Sequence, residues 1–408
     1  MQYDTIVVGA GASGLFASII LAKRGKRVLL LEHNNIVGKK LLITGKGRCN
    51  LTNNSSNEEI LQNIPTNSRF MFSALTNFSS KDTMSFFEDL GVKLKTERGN
   101  RVFPVSDKAS EIAISLENAV KKNKVTLINN EVTELIIEDN SIKGVLCGNI
   151  KYSGDNVIIA TGGMSYIGTG STGDGYKLAK QAGHRVTKLN PSLVPIVTEE
   201  KFCAEMMGLS LKNVTLTLKD KNEKKPIYSE LGEMLFTHFG VSGPLVLSAS
   251  SHIRQMQEDR YSLEIDLKPG LSEQQLDNRI QRDFSEYPNK DFSNILIKLL
   301  PSKLIPVIIS LSDISPDTKV NQITKQQRTS FVKLVKCFPL KVKSFRPLNE
   351  AIITSGGVDT KEISPKTMES KLINGLYFIG EVLDVDAYTG GFNLQIAFST
   401  AYAAATNI

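Results

Sequence analysis

The chain begins with a short apolar run that leads directly into a Gly-x-Gly-x-x-Gly motif. Residues 5–8 are Thr, Ile, Val and Val, which is typical of a buried parallel strand, and the motif glycines are Gly9, Gly11 and Gly14. Gly9 permits a tight turn, Gly11 leaves room for a pyrophosphate beside the backbone, and Gly14 lets the following helix pack closely on the strand. This order of residues predicts the start of a βαβ unit that binds a dinucleotide.

The residues that follow complete this unit. Leu15, Ile19 and Ala22 lie at helical spacing, and the N-terminal amides of this helix would face the phosphates. Residues 27–31 predict a second buried strand, and Glu32 follows eighteen residues after the last glycine. Because its carboxylate can accept hydrogen bonds from a ribose and disfavours a 2′-phosphate, the motif favours NAD or FAD over NADP.

Length and cysteine content exclude several other classes of protein. A chain of 408 residues predicts two or three domains. Glycines interrupt the apolar segment 5–22 and no basic stretch precedes it, so we expect a cytoplasmic protein without a signal peptide or membrane anchor. The four cysteines form no C-x-x-C pair, which argues against a zinc or other metal site, a disulfide framework and a dithiol redox centre. They are Cys49, Cys147, Cys203 and Cys337.

The net charge of +7 is compatible with an anionic ligand. Lysines are dispersed among acidic residues, and the two most basic stretches, residues 121–124 and 219–225, are typical of helix ends or hairpin turns. A nucleic-acid partner is therefore the less favoured interpretation. An anionic cofactor with a small-molecule substrate explains the charge equally well.

Two further segments contain many glycines. Residues 37–53 match neither strand nor helix periodicity and combine glycines, cations and amides, so we expect a loop that wraps an anionic group. Residues 156–160 predict a buried strand that ends in Thr161 and Gly162, at the edge where open α/β sheets bind ligands.

A second Gly-x-Gly-x-x-Gly match spans residues 168–173, but no acidic residue follows at the distance that a nucleotide ribose requires. It predicts a helix capped by Ser171 or Thr172, with amides that can point at a cofactor ring. Only one dinucleotide fingerprint is therefore present, and no second site for a nicotinamide cofactor is evident.

The character of the sequence changes near Pro191. Segments at 193–197, 214–218, 226–228 and 261–267 predict strands of a small sheet or barrel, and helical patterning dominates residues 272–336. Residues 375–379 return to the buried-strand pattern before Gly380. We therefore predict a Rossmann-type α/β domain in two parts, residues 1–190 and 345–408. The predicted insert spans 191–344, with a small sheet or barrel at about 191–270 and a helical part at about 271–340.

Together these motifs resemble the aminoacetone oxidase family of FAD-binding proteins, also described as BaiN-like or NAD(P)/FAD-dependent oxidoreductases. The resemblance spans the whole chain. Its selective parts are T-G-x-G-R-C-N-x-T-N at residues 44–53 and G-E-x-L-D-V-D followed by T-G-G-x-N-L-Q at residues 380–395. It implies an FAD-dependent oxidoreductase in the style of the two-dinucleotide-binding-domain flavoproteins, interrupted by a barrel and a helical subdomain.

The resemblance also implies a set of cofactor-binding residues. Those for the pyrophosphate are Gly9, Gly11, Ala12, Ser13 and Gly14, and those for the adenosine are Glu32, His33 and the backbone of Val132. Those on the flavin side are Lys40, Thr44, Gly45, Arg48, Cys49 and Asn50, with Thr161 and Gly162 at the sheet edge. Those over the ribityl chain and the isoalloxazine are Gly380, Glu381, Asp386, Gly391, Asn393 and Leu394.

The catalytic groups are less well determined than the cofactor. A flavin takes hydride at N5, and the protein positions the substrate beside it. His238 and Tyr388 are candidate catalytic residues, although a satisfied structural role is the more common one for a histidine such as His238. Cys49 beside Arg48 is compatible with a reactive thiolate or with a small buried filler.

Three functions remain open at this stage. The first is oxidation of a small metabolite, such as the amine aminoacetone, with oxygen or another electron acceptor. The second is an NAD(P)H-dependent reduction or dehydrogenation of unsaturated or steroid-like substrates, and the third is an RNA-associated flavoprotein.

Overall fold

The computed structural model describes residues 2–408. Up to Ser192 its strands and helices are β1 (Gln2–Val8), α1 (Ala12–Lys23), β2 (Val28–Glu32), α2 (Lys39–Ile43), β3 (Thr52–Asn53), α3 (Asn57–Gln62), α4 (Phe72–Asn77), α5 (Ser80–Asp89), β4 (Leu94–Glu97), β5 (Arg101–Pro104), α6 (Ala109–Lys122), β6 (Thr126–Asn129), β7 (Glu134–Glu138), β8 (Ser141–Cys147), β9 (Ile150–Ile159), α7 (Asp174–Gln181) and β10 (Asn190–Ser192).

The middle of the chain contains β11 (Ile196–Thr198), β12 (Ser210–Asp220), β13 (Tyr228–Thr237), β14 (Gly240–Ser242), α8 (Pro244–Ser250), β15 (Tyr261–Asp266), α9 (Glu273–Glu286), α10 (Phe292–Ile295), α11 (Ile305–Leu311), α12 (Lys325–Lys336) and β16 (Phe338–Phe345). The last part contains β17 (Ile353–Ser355), β18 (Leu376–Phe378) and α13 (Phe392–Asn407).

The chain divides into two compact units. The first contains the residues up to Ser192 together with Pro347–Ile408, and the second is Leu193–Arg346. The first unit is built on a seven-stranded sheet in the order β6-β2-β1-β9-β8-β7, with β18 also paired to β9. Strands β6, β2, β1, β9 and β18 are parallel, which gives the Rossmann-type arrangement that the sequence predicts.

Hydrophobic packing covers the parallel strands of this sheet. Every residue of β2 is buried, as expected of a strand with helices over both faces. Helix α1 packs against α6 and α13, and the rings of Phe16 and Phe398 lie 5.4 Å apart between α1 and α13. The final helix therefore belongs to the same core as the opening βαβ unit.

A buried histidine joins the end of α7 to the segment before β18. His184 has no exposed side-chain surface, and its Nδ1 lies 3.0 Å from Glu362 Oε2 and its Nε2 2.8 Å from Ser370 Oγ. Ser370 Oγ also accepts hydrogen bonds from the backbone N–H groups of Leu372 and Ile373. These hydrogen bonds connect the end of α7 to the segment before β18.

The second unit is a closed barrel of six strands joined to a group of helices. The barrel order is β11-β14-β13-β12-β15-β16, and all the strand pairings are antiparallel. Strand β16 (Phe338–Phe345) lies beyond the predicted barrel range of about 191–270, at the end of the part predicted to be helical. Its alternating buried residues, such as Leu340 and Val342, complete the barrel by pairing with two strands that are distant in sequence.

Three local predictions are wrong. The strand predicted at 193–197 is divided, because Leu193 has a left-handed backbone (φ 53°) between β10 and β11. Residues 39–43 of the predicted loop form helix α2. Neither Ser171 nor Thr172 caps α7. The helix follows the left-handed Gly173 (φ 85°), and the Thr172 hydroxyl bonds the Asp174 carboxylate instead.

Within residues 2–408, no helix has both the length and the hydrophobicity needed to cross a membrane.

Candidate functional site

The fingerprint glycines create close backbone contacts at the end of β1. Gly9 has a φ of 101°, and a Cβ at this position would lie 2.7 Å from the carbonyl oxygen of Ala160. A Cβ on Gly14 would lie 1.9 Å from the Gly9 carbonyl oxygen, so only glycine lets α1 pack this closely on the strand. Around Gly11, by contrast, no described atom lies within 4 Å of a Cβ position. The turn is therefore closely packed against the protein at Gly9 and Gly14, whereas the space beside Gly11 is open.

The start of α1 provides backbone donors at this opening. Helix α1 begins at Ala12 after Gly11, and the described residues contribute neither a side-chain cap nor an acidic residue in its first turn. Ser13 and Gly14 also lie in that turn. The first amides of a helix have no partner within the helix and carry its positive dipole end. This geometry suits a bound diphosphate.

Glu32 organises the adjacent end of β2. Its Oε2 accepts a hydrogen bond from the Ala10 N–H at 2.7 Å, and its Oε1 accepts from the backbone N–H and side-chain amide of Asn34, both at 2.8 Å. His33 Nε2 lies 3.8 Å from Glu32 Oε1. Val132 is buried after β6, the strand that pairs with β2.

The second glycine motif packs against this end of β2. The Asn34 side-chain amide donates to the Thr169 carbonyl oxygen at 3.2 Å. A Cβ on Gly170 would lie 2.2 Å from Asn34 Nδ2 and 2.4 Å from His33 Nε2. The loop at 168–173 therefore lies beside the residues that the resemblance assigns to the adenosine, which explains its glycines without a second nucleotide.

Two predicted flavin-side residues form an ion pair although 341 residues separate them in sequence. Lys40 Nζ lies 2.6 Å from Glu381 Oε2, and both side chains are about four-fifths buried. Lys40 also donates to Ser165 Oγ at 2.8 Å, and Glu381 Oε1 accepts from the Thr354 N–H at 3.0 Å. Three separate segments thus meet at one carboxylate within the first unit.

The C-terminal segment closes over the fingerprint. Gly380 has a φ of 72°, its N–H donates to Thr400 Oγ1, and a Cβ here would lie 2.8 Å from Ser13 Oγ. Asp386 is buried and accepts hydrogen bonds from Ser192 at 3.0 Å and Ser355 at 3.1 Å.

Gly391, the residue before helix α13, also packs closely against its surroundings. This contact explains the second glycine of the T-G-G-x-N-L-Q motif. A Cβ on Gly391 would lie 2.3 Å from the Thr52 carbonyl oxygen. The Asn393 side chain exchanges two hydrogen bonds with the backbone of Ala387, and the half-buried Leu394 packs against the core. Asn393 therefore shapes the loop that carries Tyr388.

The residues from 44 to 50 have mixed roles. Thr44 Oγ1 donates to the Leu41 carbonyl oxygen at 2.6 Å, and Gly45 takes a φ of 57° against the Asn50 backbone. Arg48 forms ion pairs of 2.5 Å with both Glu97 and Asp107, so its guanidinium already has carboxylate partners.

Cys49 is fully buried, and this burial raises the pKa of its thiol to about 12. The reactive-thiolate interpretation is therefore wrong, because the nucleophilic form of a cysteine is the thiolate. Cys49 fills space in the core.

Unpartnered polar atoms and open space fit a bound cofactor. Asn50 Oδ1 and Thr161 Oγ1 are buried without a hydrogen-bond partner among residues 2–408. Buried polar atoms are normally satisfied, so these two are candidates for contact with a polar ligand. Gly162 takes a φ of 73° beside Thr161, at the end of the strand that neighbours β1. With the open helix start, these groups would hold a dinucleotide cofactor at this sheet edge.

The two candidate catalytic residues lie in different units. Tyr388 is half-buried in the first unit, and its N–H donates to the Asn63 carbonyl oxygen at 3.0 Å. His238 lies in the second unit, exposed in the turn between β13 and β14 and edge-on to Phe239. His238 is therefore exposed at the tip of a hairpin, and its role stays a prediction.

Several residues of the site were not predicted. They are Asn34, Ser165, Thr354 and Gln395. Their positions depend on contacts with residues distant in sequence or on side-chain hydrogen bonds, and neither produces a periodic pattern in the sequence. Gln395 is the partial exception, since it stands in the N-L-Q signature. It accepts hydrogen bonds from Thr52 at 2.6 Å and Thr83 at 2.8 Å, so its role is to seat α13.

The fold and the site define a Rossmann-type dinucleotide-binding protein with a barrel-containing insert. The chain matches the family described as the HI0933-like protein Rossmann domain over residues 3–407, and it belongs to this family. It is 35% identical over 414 residues to a Haemophilus influenzae protein named ribosomal RNA dihydrouridine synthase, covering 100% of this chain and 99% of the relative.

A second relative has a different name. The chain is 30% identical to a Clostridium scindens 3-dehydro-bile acid delta(4,6)-reductase, covering 98% of this chain and 97% of the relative. Among solved structures, a 3-ketosteroid delta1-dehydrogenase from Sterolibacterium denitrificans shares the fold, with a TM-score of 0.52, 15% identity, and coverage of 100% of this chain and 99% of that one. The protein is an FAD-dependent oxidoreductase.

Proposed function

We propose that this protein reduces a carbon–carbon double bond conjugated to a carbonyl group, and that its substrate is a uridine base of ribosomal RNA. The observation that carries the proposal is the full-length similarity to the dihydrouridine synthase of Haemophilus influenzae. The names of both relatives describe the saturation of such a double bond, which supports the reaction class. The higher identity, 35% against 30%, supports uridine over a bile acid.

When bound, FAD supplies the two-electron redox centre that passes hydride to one carbon of the double bond. The chain binds and orients this cofactor. The amides at the start of α1 would hold the diphosphate, Glu32 would hold the ribose, and the Lys40–Glu381 pair would place opposite charges on the flavin side. A ribosomal RNA substrate also agrees with the cytoplasmic location that the sequence predicts.

The second carbon of the double bond must receive a proton. We assign this proton to the Tyr388 hydroxyl, because Tyr388 lies on the loop between Asp386 and Gly391 that Asn393 holds in place. His238 is the alternative donor. Each reduced double bond consumes one hydride and one proton, so turnover needs an external hydride donor, for which we propose NADPH or NADH.

The decisive experiment is reduction of ribosomal RNA by the purified holoprotein. RNA from cells that lack the gene is incubated without oxygen with the protein and NADPH or NADH, and its nucleosides are analysed by mass spectrometry. We expect dihydrouridine, heavier than uridine by two hydrogen atoms. Tyr388→Phe is expected to slow the formation of dihydrouridine while retaining bound FAD. The same measurement on His238→Gln tests the alternative proton donor.

The same preparation distinguishes the competing functions. Reduction of a conjugated 3-oxo steroid, without dihydrouridine in the RNA, would transfer the proposal to steroid-like substrates. Bleaching of the flavin by aminoacetone, and not by NADPH or NADH, would favour the amine oxidation that the resemblance suggests.

A further inference from the structure

The small sheet β3-β5-β4 has one buried and one outward face. On the buried face, Val102 is inaccessible and its neighbour Thr52 bonds Gln395 on α13. Side chains alternate along a strand, so the residues between these positions point the other way. The outward residues are Lys93, Lys95 and Glu97 on and before β4, and Arg101, Phe103 and Val105 on and after β5.

Cations cover this outward face. The Arg48 guanidinium lies 4.2 Å from the ring centroid of Phe103, and that of Arg101 lies 5.8 Å from it. Lys95 contributes a further cation, and the two carboxylates nearby, Glu97 and Asp107, pair with Arg48 and Lys95. The buried ring of Phe103 therefore lies beneath two guanidinium groups.

Three of the cations on this surface have no carboxylate partner among residues 2–408. Lys93 and Arg101 are exposed on the outward face, and Arg98 is exposed in the turn between β4 and β5. With Arg48 and Lys95 they make five cations against two carboxylates, a net charge of +3. We call the surface formed by these five cations and two carboxylates the basic hairpin face.

The basic hairpin face adjoins the loop at the predicted flavin side. The side-chain amide of Asn53 on β3 donates to the carbonyl oxygen of Gly99 in the hairpin turn at 3.0 Å and to that of Gly390 at 2.9 Å. One side chain thus joins the hairpin to the loop before α13. A polyanion on this face would be held beside the proposed reduction site.

We propose that the basic hairpin face binds the phosphate backbone of the ribosomal RNA substrate. Charge complementarity carries this assignment, because unpaired cations spread along a hairpin suit a repeating anion better than one small substrate. Exposed guanidinium planes can also stack on unpaired bases. The choice of RNA rests on the proposed function.

The test compares two triple variants of the holoprotein that remove the same charge. Lys93→Gln, Arg98→Gln and Arg101→Gln neutralise the basic hairpin face. Lys221→Gln, Lys224→Gln and Lys225→Gln neutralise exposed lysines in the turn between β12 and β13, on the second unit. Affinity for a fluorescent ribosomal RNA fragment is measured over a range of salt concentrations, and flavin content and NADPH-dependent bleaching report the state of the cofactor site.

We expect the hairpin variant to bind the RNA fragment about tenfold or more weakly, with a salt slope smaller by about 2 because three phosphate contacts are lost. The control variant should bind like the wild type, and both should retain FAD. Equal losses in the two variants, or unchanged binding by the hairpin variant, would overturn the proposal.

The outcomes also separate this proposal from the proposed function. RNA binding that depends on the hairpin, without formation of dihydrouridine, would refute the uridine reductase and leave the docking surface. Suppose that the wild type and the hairpin variant form dihydrouridine equally at RNA concentrations below saturation. That result would refute RNA binding by the basic hairpin face and leave the proposed reductase function standing.

Discussion

Replacing Glu32 by Gln tests whether one carboxylate holds both the fingerprint turn and the cofactor. Glu32 is only 9% exposed and accepts three hydrogen bonds from Ala10 and Asn34. The amide of Gln retains one acceptor oxygen. If that oxygen keeps the two bonds from Asn34, the new NH2 group faces the Ala10 N–H and two donors oppose each other.

The expected cost follows from this geometry. Loss of one hydrogen bond to a charged group and burial of unsatisfied donors together lower the free energy of unfolding of the apoprotein by about 3 kcal/mol. Denaturant unfolding of the apoprotein measures this change. Because the ribose contact also loses its charge, we expect the Kd for FAD, measured by flavin fluorescence, to rise about tenfold or more.

Asp4→Asn is the matched control. Asp4 lies at the other end of the same strand pair and accepts hydrogen bonds from Arg27, whose side chain is 67% exposed. Because the pair is exposed, its loss should change the free energy of unfolding very little and leave the Kd for FAD unchanged. If Glu32→Gln unfolds and binds FAD like the wild type, the role assigned to Glu32 is refuted.

Three further predictions concern other parts of the first unit and the cysteines. Gly14→Ala should prevent retention of FAD on gel filtration, because its Cβ would lie 1.9 Å from the Gly9 carbonyl oxygen; a yellow variant with the normal flavin content would contradict this. Iodoacetamide at pH 8 should modify the exposed Cys337 before the buried Cys49 in the native protein, as peptide mass spectrometry can establish. Burial lowers the pKa of His184 below its usual value of about 6.5, so its neutral form stabilises the fold above that pH, and stability falls as the pH drops below it. His184→Gln should make the Tm less dependent on pH between 7 and 5, and an unchanged pH dependence would show that other groups cause it.

The parts of the fold that the sequence predicts are those whose characteristic pattern lies within a short stretch of neighbouring residues. The turn at Gly9, the close packing at Gly14 and the carboxylate at Glu32 lie within one βαβ unit, so spacing alone identified them. The prediction that the two most basic stretches lie at helix ends or in hairpin turns is also confirmed. Residues 121–124 lie at the end of α6, and residues 219–225 span the end of β12 and the following turn.

The parts that could not be predicted depend on contacts between distant residues. The sixth barrel strand, Phe338–Phe345, alternates in a way that any half-buried strand would, and only its pairing partners show that it completes the barrel. The exposure of His238 likewise depends on the geometry of a hairpin. Residue type and spacing do not encode such pairings.

The sequence by itself determined the cofactor class, because a phosphate-binding turn needs glycines at fixed local spacing and a ribose needs an acid at the end of the next strand. Only the tertiary structure decided which charges remain unpaired. Arg48 and Lys95 are neutralised by Glu97 and Asp107, whereas Lys93, Arg98 and Arg101 are not. The physical reason is that electrostatic pairing depends on distance in space. The sequence therefore predicted the cofactor's anchor, and the folded chain located the charged surface beside it.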